Sequence, residues 1–271
     1  MPELPEVETI VSDLRKIIVG EKFVRMEGRH ANSVSGAIEN EGKIVGMRIS
    51  SVERRGKFMN IFFENDYVMT LHLRMSGRLV TKNLKDEELP YERTRLDFSK
   101  TSLRFCDIRK FGKVWINKLS DYEVKTGICN LGVEPFSKEF NFAKFLSIFK
   151  GKRGTVKKNL LDQSLIAGIG NIYADEGCFY AGIRPNQEIT KLSKKDLERL
   201  YEGVLKALRQ GIKNRGTSIS DFVDAYGKTG RNQEVLFVYG RGGKKCINCR
   251  EILQKTTVAG RGTVFCTSCQ K

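Results

Sequence analysis

The feature that most constrains this chain is a group of four cysteines near its carboxyl end. Cys246, Cys249, Cys266 and Cys269 follow the pattern C-x2-C-x16-C-x2-C. Two-residue spacers let each pair converge on one ion, and four thiolates suit tetrahedral Zn²⁺ in a closed site. The pattern therefore predicts one structural zinc ion. Disulfides are the competing interpretation, although nothing in the sequence indicates an oxidising compartment, and an iron site is a smaller alternative.

The residues between the two cysteine pairs predict a β-hairpin. EILQKTTV and TVF have strand composition and are joined by AGRG, which places Arg261 at the tip between Gly260 and Gly262. Glycines allow close approach of the backbone, and a guanidinium is suited to phosphate, so Arg261 is a candidate contact; an exposed turn arginine is the alternative. The remaining cysteines are expected to be buried apolar thiols: Cys106, Cys129 and Cys178.

The charge of the chain indicates a polyanionic partner. Lys and Arg number 48 against 32 Asp and Glu, a net charge of +16. A surplus of this size favours nucleic acid through phosphate neutralisation, unless it only makes the surface generally basic. Clustering favours the first interpretation, because residues 240–271 hold seven basic residues against the single acid Glu251. A second cluster without acids comprises Lys150, Lys152, Arg153, Lys157 and Lys158.

Hydrophobic periodicity predicts a mixed α+β chain. A leading helix begins at about Pro5 and ends before Gly20, and short β-like runs between roughly 43 and 117 indicate a sandwich or barrel. Helical periods follow from about 119, and in 193–216 Ser193 and Asp196 are spaced like a capping box. We expect an α+β multidomain chain with an amino-terminal β-sandwich domain. The predicted division is 1–118, 119–137, 138–235 and 236–271.

Other classes of protein have little support in the sequence. No apolar run approaches 18 residues, and the first twenty residues lack the pattern of a secretory signal, so we expect a cytoplasmic protein without a membrane partner. The chain has only His30 and His72, and His72, in an alternating strand, is expected to be structural. LIAGIGNIY lacks the lysine of a nucleotide-binding loop.

The amino terminus, MPELPEVET, is the candidate source of chemistry. Met1 before a residue as small as Pro2 is normally removed, which would leave a free secondary amine. An α-amine has a pKa near about 8, so a useful fraction is unprotonated at neutral pH. Such an amine could attack a sugar C1′ and form an iminium, with Glu3 as proton donor or acceptor. A plain helix entrance is the alternative.

Taken together, the motifs resemble those of bacterial formamidopyrimidine-DNA glycosylases, in family order from residue 1 to residue 269. They are MPELPEVET, RRGK ending at Lys57, HLRMSG, DIRKFG, KKNLLDQSLIAGIGNIYADE and the four-cysteine module with VAGRGT. The resemblance implies a β-sandwich, a helix–two-turn–helix region and a β-hairpin zinc finger. It also implies a bifunctional glycosylase and lyase of base excision repair. This enzyme would remove oxidised purines such as 8-oxoguanine and nick the strand by β,δ-elimination.

The resemblance also implies roles for individual residues. Pro2 would be the Schiff-base nucleophile, Glu3 the general acid/base, and Lys57 a proton-transfer group that contacts phosphate. Arg261 would bind phosphate and donate a proton in the second elimination. Glu6, Ser218 and Ile219 would form the lesion pocket, the last two in a loop that closes over the extruded base. The expected DNA contacts are Met75, Tyr91, Arg109, Phe111, Arg153, Lys157 and Asn171.

Of these, Met75, Arg109 and Phe111 would fill the gap left by the flipped nucleotide; without the resemblance, Met75 and Phe111 would be taken as core residues. Some positions depart from the family pattern and leave local contacts and lesion preference open. Tyr91 replaces a DNA-contacting histidine, Lys158 stands where proline is common, and residues 220–222 are Ser-Asp-Phe.

The expected partner is double-stranded DNA with oxidised bases, bound by a monomer. Two alternatives stay open. The endonuclease VIII-like branch prefers oxidised pyrimidines, although Leu4 in PELPEVE favours the purine branch. A zinc-containing DNA-binding protein without catalysis would explain the charge and cysteines, but would give no purpose to Pro2, Glu3 and Lys57.

Overall fold

The structure is a computed structural model that describes residues 1–28, 34 and 37–271. His30 lies outside these described residues. The chain divides into two compact units, one formed by 1–130 with 214–233 and the other by 131–213 with 234–271. The four-part division made from the sequence stays a prediction. Within the described residues, no helix is long and apolar enough to cross a membrane.

The first unit begins with the expected helix, α1 (Leu4–Ile17). Its first turn is closed by a capping box between Glu3 and Glu6, and Pro5 occupies an early position where no backbone donor is needed. The helix ends before Gly20, which adopts φ 85°. The apolar face of α1, including Ile10 and Leu14, is fully buried against the sheets.

In the part of the chain that the structure describes, eight strands follow and form two antiparallel sheets of four strands each. The sheets have the orders β1-β6-β7-β5 and β2-β3-β4-β8. Both sheets send buried apolar side chains into one core, for example Phe105 and Ile61, which confirms the β-sandwich with a leading helix. The strands are β1 (Phe23–Gly28), β2 (Ile49–Arg55), β3 (Phe58–Phe63), β4 (Tyr67–His72), β5 (Gly77–Lys82), β6 (Glu92–Phe98), β7 (Ser102–Asp107) and β8 (Lys113–Lys118).

Residues 214–233 return to the sandwich after the long helix of the second unit. The guanidinium of Arg215 bridges Asp13 of α1 and Asp224, at 2.7 and 2.6 Å. The carbonyl oxygen of Ala225 accepts hydrogen bonds from the backbone and the hydroxyl of Thr81 in β5, and Phe222 packs into the core. Polar ties and apolar burial together place this segment on the first unit.

The second unit is helical and ends in a β-hairpin. Its longest helix carries the predicted capping box, since Ser193 and Asp196 each accept a hydrogen bond from the backbone N–H of the other. Its elements are α3 (Phe142–Phe149), α4 (Val156–Leu161), α5 (Asn171–Ala181), α6 (Lys194–Lys213), β9 (Gln254–Val258) and β10 (Arg261–Phe265). The short α2 (Tyr122–Thr126) belongs to the first unit.

Two of the three isolated cysteines are buried as expected, but the prediction for Cys129 was wrong. Cys106 lies inside β7 and Cys178 inside α5, whereas Cys129 is exposed in the short 3-10 turn Ile128–Asn130. That turn follows Gly127 at the end of α2; only Ile128 of its three residues is buried, and Cys129 and Asn130 face solvent.

Candidate active site, metal centre and nucleic-acid interface

The four cysteines of the carboxy-terminal pattern converge. Their Sγ atoms all lie within 4.8 Å of one another, with Cys246–Cys269 at 3.9 Å and Cys249–Cys266 at 3.4 Å. A tetrahedral zinc ion with Zn–S bonds of about 2.3 Å would place the sulfurs about 3.8 Å apart. The donor set and spacing therefore fit one structural Zn²⁺, which would fold the hairpin and supply no open coordination position.

The hairpin places Arg261 beside its turn. β9 and β10 pair antiparallel from Arg261↔Val258 to Phe265↔Gln254. The two turn residues, Ala259 and Gly260, have φ 50° and 70°, as a tight two-residue hairpin requires. Arg261 is exposed at the first position of β10, so its guanidinium is available to a ligand.

Lys157, expected to contact DNA, is instead fully buried beneath this hairpin. Its ammonium lies 2.6 Å from the carboxylate of Asp175, and neither side chain has any exposure. The ammonium also donates to the Gly262 carbonyl at 3.1 Å and the Thr263 hydroxyl at 2.7 Å. A side chain engaged in this way cannot reach a phosphate, so the predicted DNA contact does not fit the position of Lys157.

Asp175 joins α5 to the same hairpin. Its second carboxylate oxygen accepts the backbone N–H of Val264 at 3.2 Å. Burial raises the pKa of Asp175 to about 7, and the nearby ammonium of Lys157 opposes that rise. Because the two groups are 2.6 Å apart with no access to water, we assign them as an ion pair. The sequence analysis assigned no role to Asp175, although the residue lies in the motif KKNLLDQSLIAGIGNIYADE.

Asn171 opens α5 directly after Gly170. Its side-chain amide donates to the Gly262 carbonyl at 3.1 Å, so Asn171 and Lys157 hold the same peptide of the hairpin. The side chain is partly exposed, and the amino-terminal end of a helix favours anions. Arg153, in the loop before α4, is exposed.

In the first unit, Glu6 connects the amino terminus to the predicted lesion loop. One carboxylate oxygen accepts the backbone N–H of Glu3 at 2.8 Å, and the other accepts the N–H of Thr217 at 2.7 Å. Pro2 and Glu3 are buried beside it. The Glu6 side chain thus fixes both Glu3, which follows Pro2, and Thr217, which precedes Ser218.

The loop after Thr217 is held at its base and exposed at its tip. Ser218 donates its hydroxyl hydrogen to the Phe222 carbonyl at 2.7 Å and accepts the Gly230 N–H at 2.9 Å. Ile219, the next residue, is 56% exposed. Ser218 and Ile219 therefore form a fixed base and a projecting apolar tip.

Lys57 lies at the turn between β2 and β3, and its side chain is only 7% exposed. Gly56 precedes it with φ 57°. Arg54, two residues earlier, pairs with Glu8 of α1 at 2.7 Å, which ties this turn to the leading helix. The candidate residues Pro2, Glu3 and Lys57 are therefore carried by elements that are fastened to each other.

His72, the last residue of β4, lies near enough to Lys57 in the β2–β3 turn to sense its charge. It pairs across the strands with Phe58, and the two rings make an edge-on contact at 4.5 Å. Burial lowers the pKa of His72 to about 3, with further lowering from the charges of Arg74 and Lys57. Its Nδ1 accepts the Arg74 N–H at 3.0 Å, so the ring is neutral and fixed.

The four other DNA-contact candidates of this unit lie in three loops. Met75 is partly exposed after β4, Tyr91 is 53% exposed before β6, and Phe111 is 50% exposed before β8. The Arg109 guanidinium lies over the Phe111 ring at 4.8 Å. Exposed Met, Tyr and Phe side chains beside an arginine are suited to stacking against bases.

These features define an α+β protein with a helix-led β-sandwich, a helical unit and a four-cysteine hairpin. Family models match in the same order: the formamidopyrimidine-DNA glycosylase N-terminal domain over residues 1–114, the H2TH domain of that enzyme over 131–223, and a zinc finger found in FPG and IleRS over 243–271.

Known proteins with this organisation match over nearly their whole length. The formamidopyrimidine-DNA glycosylase of Desulfitobacterium hafniense (strain DSM 10664 / DCB-2) is 38% identical over 272 residues, covering 100% of both chains, and that of Moorella thermoacetica is 40% identical over 94% of both. The Lactococcus lactis enzyme in complex with an abasic-site DNA superposes with a TM-score of 0.92 at 34% identity, covering 99% of both chains. The chain belongs to the formamidopyrimidine-DNA glycosylase family of base-excision-repair enzymes.

Proposed function

We propose that this protein is a bifunctional DNA glycosylase and AP lyase that excises oxidised purines through a Schiff base at Pro2. Solved relatives from Lactococcus lactis are complexes with Fapy-dG-containing DNA and with abasic-site DNA. Fapy-dG is a substrate of the proposed glycosylase reaction, and an abasic site is the substrate of the proposed lyase reaction. We further propose that the protein acts as a monomer on double-stranded DNA in the cytoplasm.

The observation that carries the proposal is the double role of Glu6. Its carboxylate binds the N–H of Glu3 and the N–H of Thr217, at 2.8 and 2.7 Å. A nucleophile at Pro2 and a lesion loop at Ser218 and Ile219 would therefore share one rigid anchor. Reaction at a base held by that loop requires this kind of fixed geometry.

The proposed chemistry begins after removal of Met1. The secondary amine of Pro2 attacks the sugar C1′, the glycosidic bond breaks, and the base leaves with a proton. The sugar ring opens to give an iminium cation joining Pro2 to C1′. Glu3 is the proposed proton donor and acceptor at the sugar, and Lys57 the proposed proton-transfer group that also contacts phosphate.

Strand cleavage follows from the iminium. Loss of the C2′ proton expels the 3′ phosphate, and a second elimination expels the 5′ phosphate, with Arg261 as the proposed proton donor. Water then releases the sugar remnant from Pro2. Neither elimination changes the overall oxidation state, so no redox partner is needed.

DNA contacts are proposed for both units. In the first, Met75, Arg109 and Phe111 fill the space of the flipped nucleotide, and Tyr91 contacts the backbone beside it. In the second, Asn171, Arg153 and Arg261 bind phosphates. Because Lys157 is buried, we propose that it supports Arg261 from beneath the hairpin and does not contact DNA.

Borohydride trapping tests this function. A duplex containing 8-oxoguanine is incubated with the protein and reduced, and the expected result is a covalent adduct at the amino-terminal residue, located by peptide mass analysis. Pro2→Gly should lose most of the adduct, whereas Pro5→Ala, a change at the other proline of the first turn, should retain it. Strong cleavage of an oxidised-pyrimidine duplex, with little cleavage of the 8-oxoguanine duplex, would favour the endonuclease VIII-like branch. Tight binding without adduct or cleavage would leave only a DNA-binding protein.

A further inference from the structure

One buried carboxylate, Asp107, lies where three loops of the first unit meet. It is the last residue of β7 and is 1% exposed. Its Oδ1 accepts the Ser76 hydroxyl at 2.6 Å and the Arg109 N–H at 3.1 Å, and its Oδ2 accepts the Gly112 N–H at 2.7 Å. The side chain thus binds the loop after β4 and both ends of the Arg109–Phe111 segment.

The backbone of Asp107 holds the third loop. Its N–H donates to the carbonyl of Tyr91 at 2.9 Å, and its carbonyl accepts the Arg93 guanidinium Nε at 2.8 Å. Asp107 therefore contacts Tyr91 directly, contacts Arg109 directly, and reaches Met75 through its neighbour Ser76. Phe111 precedes Gly112, so all four proposed DNA contacts of this unit are bonded to Asp107 or adjoin a residue that is.

The loops around Asp107 adopt conformations that need such support. Arg74, Tyr91 and Lys110 have φ values of 56°, 62° and 59°, in the left-handed region that non-glycine residues adopt at some cost. Gly112 lies so close to the Phe105 ring that a Cβ there would come within 2.2 Å of it. Strained backbone conformations of this kind persist only when surrounding groups hold them in place. Here three of the hydrogen bonds that hold the loops go to the carboxylate of Asp107.

We propose that Asp107 is a positioning residue that presents Met75, Tyr91, Arg109 and Phe111 to DNA as one preorganised set. The proposal rests on the DNA-glycosylase function proposed above. In the absence of the Asp107 carboxylate, each loop keeps its sequence but loses its fixed position relative to the others. Insertion of these side chains into the duplex would then require the three loops to become ordered at the moment of binding, and the entropy lost in that ordering makes insertion less favourable.

A neighbouring pair provides a matched control. At the opposite end of β7, the Ser102 hydroxyl donates to buried Asp97 at 2.6 Å, the same length as the Ser76–Asp107 bond. Ser102 is fully buried at the first position of β7, the end of the strand opposite to Asp107. Ser76→Ala removes the bond to Asp107 and the bond that the Ser76 hydroxyl accepts from the Arg109 N–H at 3.2 Å, whereas Ser102→Ala removes a serine–aspartate bond of the same length at the other end of β7. Asp107→Asn is the stronger variant, because its amide cannot accept the hydrogen bonds that reach both carboxylate oxygens.

The experiment measures insertion and chemistry separately. Insertion is followed by the fluorescence of 2-aminopurine placed opposite 8-oxoguanine, which rises when that base is unstacked. Chemistry without insertion is followed by borohydride trapping on a single-stranded abasic oligonucleotide, which has no opposite base to displace. Trp115 fluorescence during unfolding reports whether each variant retains the folded sandwich, since Trp115 lies in β8 of that unit.

Asp107→Asn is expected to lower kcat/KM on the 8-oxoguanine duplex by about 10-fold to 100-fold, the effect of a lost buried hydrogen bond. The 2-aminopurine signal should fall with it, while single-stranded trapping stays within about 2-fold of wild type. Ser76→Ala should show the same pattern more weakly, and Ser102→Ala should match wild type in both assays.

Two results would overturn the proposal. One is equal loss of duplex and single-stranded activity in Ser76→Ala, which indicates a purely structural role. The other is a normal 2-aminopurine signal in folded Asp107→Asn. A wild-type protein that traps neither substrate contradicts the proposed function itself, so failure of the two hypotheses is distinguishable.

Discussion

The β-sandwich and the cysteine hairpin reach a fixed structure by different means. Among the described residues, the sandwich has a core of 27 buried residues drawn mainly from both sheets, α1 and the returning segment, whereas the apolar cluster beneath the hairpin has six, of which two are cysteines of the metal site. β9 is mostly exposed. A hairpin of this size cannot bury enough apolar surface to offset its conformational entropy.

This difference indicates what each region needs from its polar residues. In the sandwich, polar groups such as Asp107 can be used to hold loops in place, because apolar burial already supplies the stability. In the hairpin, the thiolates and the buried Lys157–Asp175 pair hold the fold itself. We therefore expect removal of the metal or of a buried charge to change the stability of the two regions to different extents.

The largest separation should come from removing the metal. Structural zinc contributes about 10–16 kcal/mol to small domains of this kind, so a chelator, or Cys249→Ala, should unfold the hairpin and abolish tight DNA binding. The Trp115 unfolding transition, which reports on the sandwich, should stay nearly unchanged. Metal content, protease sensitivity of residues 246–269 and Trp115 fluorescence provide the three readouts.

Cys129→Ala is the control for this first prediction, because Cys129 is an exposed thiol outside the cluster. It should retain one zinc ion per chain and bind DNA normally. If metal removal shifted the Trp115 transition as strongly as it unfolds the hairpin, the two regions would be one cooperative unit and the comparison would fail.

A smaller effect is expected from breaking either of two ion pairs that are fully buried. Lys157 pairs with Asp175 in the second unit, and Arg104 pairs with Glu92 in the sandwich. Removing one partner leaves an uncompensated buried charge, at a cost of about 3–5 kcal/mol. Lys157→Met should therefore speed zinc release and weaken DNA binding, whereas Arg104→Met should lower the Trp115 transition.

The double variant Lys157→Met/Asp175→Asn tests the cause. It removes both charges, so zinc retention should recover in part relative to Lys157→Met alone. Zinc release is followed with a chromophoric chelator. No recovery in the double variant would mean that the lysine acts through its hydrogen bonds to Gly262 and Thr263, and not through charge.

The features predicted from sequence are those encoded by near neighbours in the chain. The two-residue spacing within each cysteine pair, the start of α1 near Pro5 and the Ser193–Asp196 capping box all depend on residues a few positions apart. The sandwich followed from short β-like runs between roughly 43 and 117, although the start of that region forms a strand only from Ile49, after a turn at Gly46 with φ 80°.

The features missed depend on partners distant in sequence. Val264 lies 89 positions from Asp175, and Ser76 lies 31 from Asp107, so no local pattern announces either contact. Helix α5 was not predicted because it is buried on nearly every side and lacks an amphipathic period. Lys157 was grouped with exposed cations for the same reason, since sequence alone does not distinguish a solvated lysine from one buried against a carboxylate.

The smallest expected effect uses pH to perturb the sandwich at one residue. Burial holds the pKa of His72 at about 3 in the folded state, against about 6.5 when unfolded. As pH falls below 6.5, the unfolded chain binds a proton that the folded chain excludes, so this contribution to stability is lost progressively down to about pH 3. Between pH 6.5 and 4.5, the free energy of unfolding of wild type should fall by about 2 kcal/mol more than that of His72→Asn, which has no titrating ring.

Urea unfolding followed by Trp115 fluorescence measures the difference, because Trp115 lies near Phe58, the partner of His72. Equal losses in both proteins would mean that the imidazole titrates normally in the fold, and that its contacts with Phe58 and the Arg74 N–H do not exclude the proton.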